Sequence, residues 1–268
     1  MVVGSGFVRI ALVDSGIGML STAAALRVAR PDADLFLSMD PDHMPWGPRT
    51  PDEIVARALA GARAAQEAAG DAALDAVVVP CNTASVHGLA ELRAEFEPDV
   101  PVIGTVPAIK PAAAAGGPIA VWSTAATTRS GYQRQLVETF ARGVEVTAVA
   151  CAGLAEAVES ADPRLIDDAV AYAAELTPGD VHGVVLGCTH YDLVGAQISA
   201  ALGGRAELFT AAGAVAAQAL RRIGERPVGT APGRVRVLAS GRPSRLPAAA
   251  LSYPAGRSLA SGVGAATV

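Results

Sequence analysis

The sequence predicts an α/β protein made of two pseudo-symmetric lobes, each built on a parallel sheet. Short apolar runs rich in β-branched residues alternate with longer helical patterns, which is typical of this class. Two segments also match each other, AVVVPCNTAS (76–85) and GVVLGCTHYD (183–192). Each has an apolar strand, a cysteine at its end, a nearby threonine and then a helix. They lie about one small domain apart, so we interpret them as equivalent units of two similar lobes.

The expected strands are short, apolar and buried on both faces. A long helix is expected from Pro51, because proline followed by acidic residues suits a helix start. The expected strands are VRIALVD (8–14), DLFLSMD (34–40), DAVVVP (75–80) and VPVIGTV (100–106) in the first half, and GPIAVWST, VEVTAVA, VHGVVLG and RVRVLAS (234–240) in the rest.

The lobe boundaries are expected where proline and glycine interrupt the pattern. Pro107, Pro111 and the segment AAAAGGP (112–118) mark a crossing between lobes, and a second crossing is expected near 207–215. We therefore expect a first lobe of residues 1–106 and 213–268 and a second lobe of residues 107–212.

Composition excludes several classes of protein. A hydrophobic content of 51% in 268 residues predicts a folded core. The net charge of -5, without a basic block, argues against a nucleic-acid partner. No window is long and charge-free enough for a membrane span, and the N-terminus is interpreted as a strand and not as a signal peptide. Three cysteines do not make a disulfide framework, so we expect a reduced, cytoplasmic protein.

Cys81 and Cys188 are the first candidates for chemistry. Both follow a predicted strand, and ligands of parallel α/β sheets bind at the carboxyl ends of strands. Both also precede a predicted helix, whose N–H groups lower a thiol pKa or hold a carboxylate. A single such cysteine would be interpreted as a core residue; two in matching contexts favour function. A Cys188–His190 pair for acyl transfer stays open, whereas the lack of further ligand spacings argues against a metal site.

The segment DSGIG (14–18) is the third candidate. Asp14 ends the first strand, and Ser15 begins a tight turn into a helix, so the turn can present an acid and a hydroxyl to a polar ligand. A dinucleotide loop is the alternative, but the third glycine of that motif is missing. A helix cap is the simplest alternative. If the two thiols face one carbon atom across a cleft, one can remove a proton while the other supplies one.

Several motifs in the same order resemble the cofactor-independent aspartate/glutamate racemase family, and within it most closely the glutamate racemases. The resemblance covers residues 8–194, with a weaker match at ASGRPSRL (239–246). The motifs are DSGIG, PWGPRT, PCNTAS, VPVIGTVPAIKPA, STAATTRSGY, GLAEAVE and LGCTHYD. It implies an isomerase without cofactor or metal, with two α/β lobes, an active site in the cleft between them and a C-terminal part that returns to the first lobe.

The resemblance also implies roles for individual residues. Cys81 and Cys188 would be the two acid/base thiols, assisted by Asp14, His190 and Glu159. The expected contacts to the amino acid come from Asp14, Ser15, Trp46, Gly47, Asn82, Thr83, Thr124, Thr127, Thr189 and His190. The expected partner is a small-molecule amino acid, and a homodimer is compatible with the sequence, which does not determine the oligomeric state.

Two departures from the family pattern concern the substrate. Met19 stands where the family usually has a second glycine after DSGxG, and Trp46 stands where it usually has tyrosine, so one hydroxyl is lost near the pocket. Glutamate, converted to D-glutamate for peptidoglycan, is the expected substrate. Aspartate or another amino acid is the alternative, and a non-catalytic paralogue that binds an amino acid or a protein is the alternative from another class.

Overall fold

The structure is a computed structural model that describes residues 8–261. The remaining residues, 1–7 and 262–268, belong to the expected first lobe and lie outside the described residues. Contacts divide the chain into two compact units. We call the described residues up to Thr105, together with those from Ala212 onward, the first unit, and Val106–Ala211 the second unit.

The described residues form ten strands. All eight predicted strands are confirmed, and two three-residue strands were not predicted. The strands are β1 Arg9–Val13, β2 Asp34–Met39, β3 Ala76–Val79, β4 Val102–Gly104, β5 Ile119–Ser123, β6 Val146–Ala150, β7 Gly183–Leu186, β8 Glu207–Phe209, β9 Val235–Ala239 and β10 Arg242–Ser244.

Thirteen α-helices lie within residues 8–261. The long helix predicted from Pro51 is confirmed, and Thr50 and Glu53 close its first turn with a capping box. The helices are α1 Leu20–Ala29, α2 Pro51–Ala69, α3 Asn82–His87, α4 Leu89–Phe96, α5 Ile109–Ala115, α6 Ala125–Thr128, α7 Gly131–Phe140, α8 Leu154–Ser160, α9 Pro163–Glu175, α10 Gly195–Ala201, α11 Ala212–Ile223, α12 Ala248–Leu251 and α13 Pro254–Ala260.

The two units share one strand order. The first unit has a six-stranded sheet, β10-β9-β2-β1-β3-β4, and the second a four-stranded sheet, β6-β5-β7-β8. The first four strands of the chain and strands β5 to β8 thus repeat the same arrangement, with parallel pairing throughout. β3 and β7, which precede Cys81 and Cys188, are equivalent strands in this repeat.

The C-terminal part extends the first sheet. β9 pairs in parallel with β2, and β10 turns back to pair antiparallel with β9. The first sheet is therefore mixed, because a two-residue turn can only join antiparallel neighbours.

The prediction that residues 107–118 form a crossing between lobes is wrong in part. Residues 109–115 form α5, and Ile109 and Ala112 are fully buried in the apolar cluster of the second unit. Pro111 is tolerated because it lies in the first helical turn, where the backbone N–H has no intrahelical partner. Proline and alanine here indicate a helix start and not a linker.

No helix among the described residues is both long enough and apolar enough to cross a bilayer. Residues 8–261 also contain no cluster of three or more His, Cys, Asp or Glu side chains arranged to hold a metal ion.

Candidate active site

Cys188 lies just beyond the end of β7, in the middle of the second sheet. Gly187 precedes it and donates its N–H to the carbonyl of Trp122 at 2.7 Å. A Cβ on Gly187 would approach that carbonyl oxygen to 2.8 Å, so only glycine allows the chain to pass this close to β5. The half-buried Cys188 is then held by a turn in which the Tyr191 N–H donates to its carbonyl at 3.0 Å.

The prediction that a helix directly follows Cys188 is wrong. Tyr191–Val194 form a short 3₁₀ helix, and α10 begins only at Gly195. The orienting contacts of the thiol therefore come from side chains near it and not from a long helix at its own position.

His190 connects the thiol to a carboxylate. Its Nδ1 lies 3.8 Å from the Cys188 Sγ, and its Nε2 lies 2.7 Å from Oε2 of Glu159, near the end of α8. Side-chain exposure is 8% for His190 and 17% for Glu159, so the pair is largely shielded from water. The tautomer with its proton on Nε2 would donate to Glu159 and leave the Nδ1 lone pair facing the thiol.

Cys151 lies in the same unit but in a different environment. It is 2% exposed and follows β6. Burial, together with the nearby Cys188, raises the pKa of its thiol far above the ordinary value. Cys151 therefore stays protonated and packs as an apolar residue.

Burial also affects Asp192, two residues beyond His190. It raises the pKa of this carboxyl from its ordinary value of 3.8 to about 7. The folded protein thus holds the group protonated over a pH range in which the unfolded chain ionises it.

We expect Asp192→Asn to stabilise the protein at neutral pH. The unfolded carboxylate releases its proton near pH 4 and the folded one only near pH 7, so stability falls as pH rises through this interval. An amide avoids that loss, and the variant should gain about 4 kcal/mol at pH 8 and less than about 1 kcal/mol at pH 4. Urea unfolding from pH 4 to 8 measures the difference. Asp180→Asn, at an exposed position of the same unit, is the control; a gain for Asp192→Asn that did not change with pH would contradict this account.

Cys81 occupies the equivalent position in the first unit. It follows β3 and Pro80, is 7% exposed and forms the N-cap of α3, which is only six residues long. The Ser85 hydroxyl donates to the carbonyl of Val79 at 3.0 Å and accepts the Thr105 N–H at 2.9 Å. The turn that carries Cys81 is thereby tied to the ends of both β3 and β4. Asn82 and Thr83 are half-buried in the first turn of α3.

The Asp14–Ser15 turn lies beside the Cys81 turn on the same sheet edge. β1 and β3 are parallel neighbours, with Leu12 opposite Val78, so both strands end at this edge. Asp14 is 1% exposed, and its Oδ1 accepts the Ser15 N–H at 2.7 Å. The carboxylate is therefore oriented by its own turn. A short 3₁₀ helix, Ile17–Met19, follows the turn and leads into α1.

The PWG loop follows β2 in the same unit. Trp46 is 1% exposed and donates its indole N–H to Asp40 at 3.1 Å. Gly47, by contrast, is exposed and has no atom within 4 Å of a would-be Cβ. Of the two loop residues predicted to contact the substrate, Gly47 has open space beside it, whereas the polar group of Trp46 is already occupied within the protein.

Thr124 and Thr127 lie at the end of β5, next to β7 in the second sheet. The Thr124 hydroxyl accepts the Thr127 N–H at 3.3 Å and lies 3.0 Å from the Thr127 hydroxyl. The Thr124 side chain thus caps the short helix α6, which contains Thr127, and both residues lie at the same sheet edge as Cys188.

The chain also matches known proteins. A sequence model of the family described as Asp/Glu/Hydantoin racemase matches residues 17–219.

The chain belongs to this family.

Relatives within the family are glutamate racemases. That of Roseiflexus sp. (strain RS-1) is 37% identical over 245 residues, which cover 88% of this chain and 88% of that protein. That of Pseudomonas entomophila (strain L48) is 35% identical over 224 residues, covering 81% of this chain and 82% of that protein.

Solved structures of family members match the fold. Escherichia coli glutamate racemase, in complex with L-glutamate and the activator UDP-MurNAc-ala, matches with a TM-score of 0.78 at 28% identity, covering 92% of both chains. The Thermus thermophilus enzyme, in complex with beta-chloro-D-alanine, matches with a TM-score of 0.65 at 30% identity, covering 88% of both chains.

Each unit thus brings part of the predicted site together. Cys188, His190 and Glu159 form one connected group in the second unit, and Asp14 and Cys81 end neighbouring strands of the first. Two polar residues near the predicted set were missed, Asp40 and Ser240. One signal was available for Asp40: DLFLSMD ends in an aspartate directly after the apolar run, as VRIALVD does.

Proposed function

We propose that the protein is a glutamate racemase that interconverts L- and D-glutamate without a cofactor. The observation that carries the proposal is the contact series from the Cys188 thiol through His190 to Glu159, together with Cys81 after the equivalent strand of the first unit. The family membership and the glutamate racemase relatives support the choice of substrate. D-glutamate would serve peptidoglycan synthesis, and the enzyme would act in the cytoplasm.

The proposed mechanism uses the two thiols as a base and an acid. One thiolate takes the proton from the α-carbon, so that the C–H bond breaks and an S–H bond forms. The other thiol gives its proton to the opposite face of the same carbon, so that the new C–H bond has the inverted configuration. In the reverse direction the two thiols exchange roles.

His190 would prepare Cys188 for this step. Its Nδ1 can accept the thiol proton and so hold Cys188 ready as a thiolate. Glu159 would keep the imidazole in the required orientation and stabilise the imidazolium that forms, as a carboxylate does for histidine in other acid/base sites.

The remaining predicted residues would bind the amino acid. Asp14 is suited to the ammonium group, since a buried carboxylate attracts a cation strongly at short range. The backbone of Gly47 and the polar groups of the two cysteine turns, at Asn82, Thr83 and Thr189, would hold the carboxylates, and the hydroxyls of Thr124 and Thr127 would add contacts.

Circular dichroism of pure enantiomers tests the function. With enzyme, solutions of L-glutamate and of D-glutamate should both decay to zero ellipticity, and the rate should not change after treatment with EDTA or hydroxylamine. L- and D-aspartate serve as the matched control substrates. If only the aspartate solutions lose their optical activity, the substrate is aspartate and not glutamate. If all four solutions keep their optical activity, the protein is neither a glutamate nor an aspartate racemase, and a non-catalytic binding protein remains.

A further inference from the structure

The turn between β9 and β10 contains a serine in a strained conformation. Ser240 has φ 47° and Gly241 has φ 81°, the pattern of a two-residue hairpin turn in which both central residues have positive φ. Glycine or asparagine is usual at such positions, since a Cβ makes the left-handed region costly. A serine that persists there indicates that its hydroxyl is used.

The Ser240 hydroxyl contacts the segment after β2, 200 residues earlier in the chain. It donates to Oδ1 of Asp40 at 2.7 Å and accepts the backbone N–H of Asp42 at 3.2 Å. The turn thus fixes both the carboxylate at the start of the PWG loop and the backbone that follows it.

Asp40 is the centre of this network. It is 6% exposed and also contacts Nδ1 of His43 at 3.0 Å and the indole N–H of Trp46 at 3.1 Å. Burial raises the pKa of this carboxyl, but the hydrogen bonds from Ser240, His43 and Trp46 outweigh it, so the pKa lies below its ordinary value. Asp40 is therefore an ionised acceptor that holds two side chains of the loop.

The same network reaches the Asp14–Ser15 turn. The backbone N–H of Asp40 donates to the Ser15 carbonyl at 3.2 Å. Asp14, Asp40, Trp46 and Ser240 also line one cavity of about 60 Å³. A shift of the Asp40 segment would therefore move two segments that are proposed to bind substrate, the Asp14–Ser15 turn and the loop that carries Gly47.

We propose that Ser240, acting through Asp40, is a positioning residue that sets the affinity for the amino-acid substrate. The inference rests on the proposed function, because it assigns substrate binding to Asp14 and Gly47. It gives a role to the ASGRPSRL segment (239–246), which contains none of the predicted site residues. Ser240 touches no reacting atom in this scheme; it fixes the loop on which Gly47 lies.

Ser240→Gly separates this role from a structural one. Glycine adopts positive φ without strain, which offsets the lost hydrogen bond to Asp40, so the variant should unfold at a temperature close to that of the wild type. Loss of the hydroxyl should nevertheless raise KM for glutamate about tenfold and change kcat less than about threefold. If the serine only shapes the turn, KM should not rise, and that result would overturn the proposal.

Two further variants test the route through Asp40. Asparagine tolerates positive φ and carries an N–H donor, so Ser240→Asn should recover part of the affinity. Asp40→Asn should raise KM by itself, and adding Ser240→Gly to it should change KM little further, because the two residues act as one unit. Full additivity of the two changes would contradict a shared route.

The binding of glutamate, measured by calorimetry, distinguishes failure of this inference from failure of the proposed function. An active wild type with an unchanged KM in Ser240→Gly overturns only the inference. A wild type that binds glutamate without racemising it overturns the function, and a tenfold weaker binding by Ser240→Gly then still supports the positioning role. If neither glutamate nor aspartate binds, both proposals fail.

Discussion

Cys81→Ser and Cys188→Ser are each expected to lower kcat/KM for glutamate racemisation at least about 10³-fold, in both directions. A serine hydroxyl of similar size stays protonated where a thiol can ionise, so it cannot serve as the base, and general acid–base groups contribute about 10² to 10⁴-fold each. Both directions suffer because each needs one thiolate and one thiol. Circular dichroism started from either enantiomer measures the two rates.

Cys151→Ala is the matched control for the two thiol variants. Cys151 is buried and its pKa is raised, so its removal should leave kcat/KM within about threefold of the wild type. Proton exchange in deuterated water adds a second measurement, since a single-thiol variant that retained one base would still exchange the α-proton of one enantiomer. Wild-type racemisation rates in either serine variant would contradict the two-base mechanism.

The fold class could be predicted because its signal lies within short segments. Strands buried on both faces give continuous apolar runs such as AVVV and GVVL, and the cysteine after each run placed them as equivalent units. The shared strand order of the two sheets agrees with that interpretation. The three-residue strands β8 and β10 were missed, since so short a segment has too few residues to show a period.

The crossing predicted at 107–118 was wrong in part, because residues 109–115 form α5. Proline and glycine indicate a break in regular structure, but proline is also suited to the first turn of a helix, and Pro111 lies there in α5. The alanines that follow are good helix formers, which was the stronger signal in this segment.

The contacts of the site could be predicted only in part. The motif alone placed His190 two residues from Cys188, whereas Glu159 was expected from the family resemblance, because its contact with His190 spans 31 residues. Asp40 and Ser240 are 200 residues apart, and no local pattern connects them. Pairing of β9 with β2 brings them together, so their contact follows from the tertiary structure and not from periodicity.

His190→Asn is expected to lower kcat/KM for racemisation about 10²-fold. The amide cannot accept the Cys188 proton as an imidazole can, so the thiol loses the base beside it. Circular dichroism started from either enantiomer measures the loss, and His182→Asn, at an exposed position of the same unit, is the control. A wild-type kcat/KM in His190→Asn would contradict the role of His190 as a base for Cys188.

Glu159→Gln should show a smaller loss, about tenfold, because the carboxylate acts through His190 and touches the imidazole at Nε2 and not the thiol. Glu156→Gln, at an exposed position on the same helix α8, is the control and should leave the rate unchanged. Added to His190→Asn, the Glu159→Gln change should cost almost nothing further, since its partner is already gone. If it still cost tenfold in that background, Glu159 would act on the substrate or the thiol directly, and the series from Cys188 through His190 to Glu159 would have to be divided into two separate contributions.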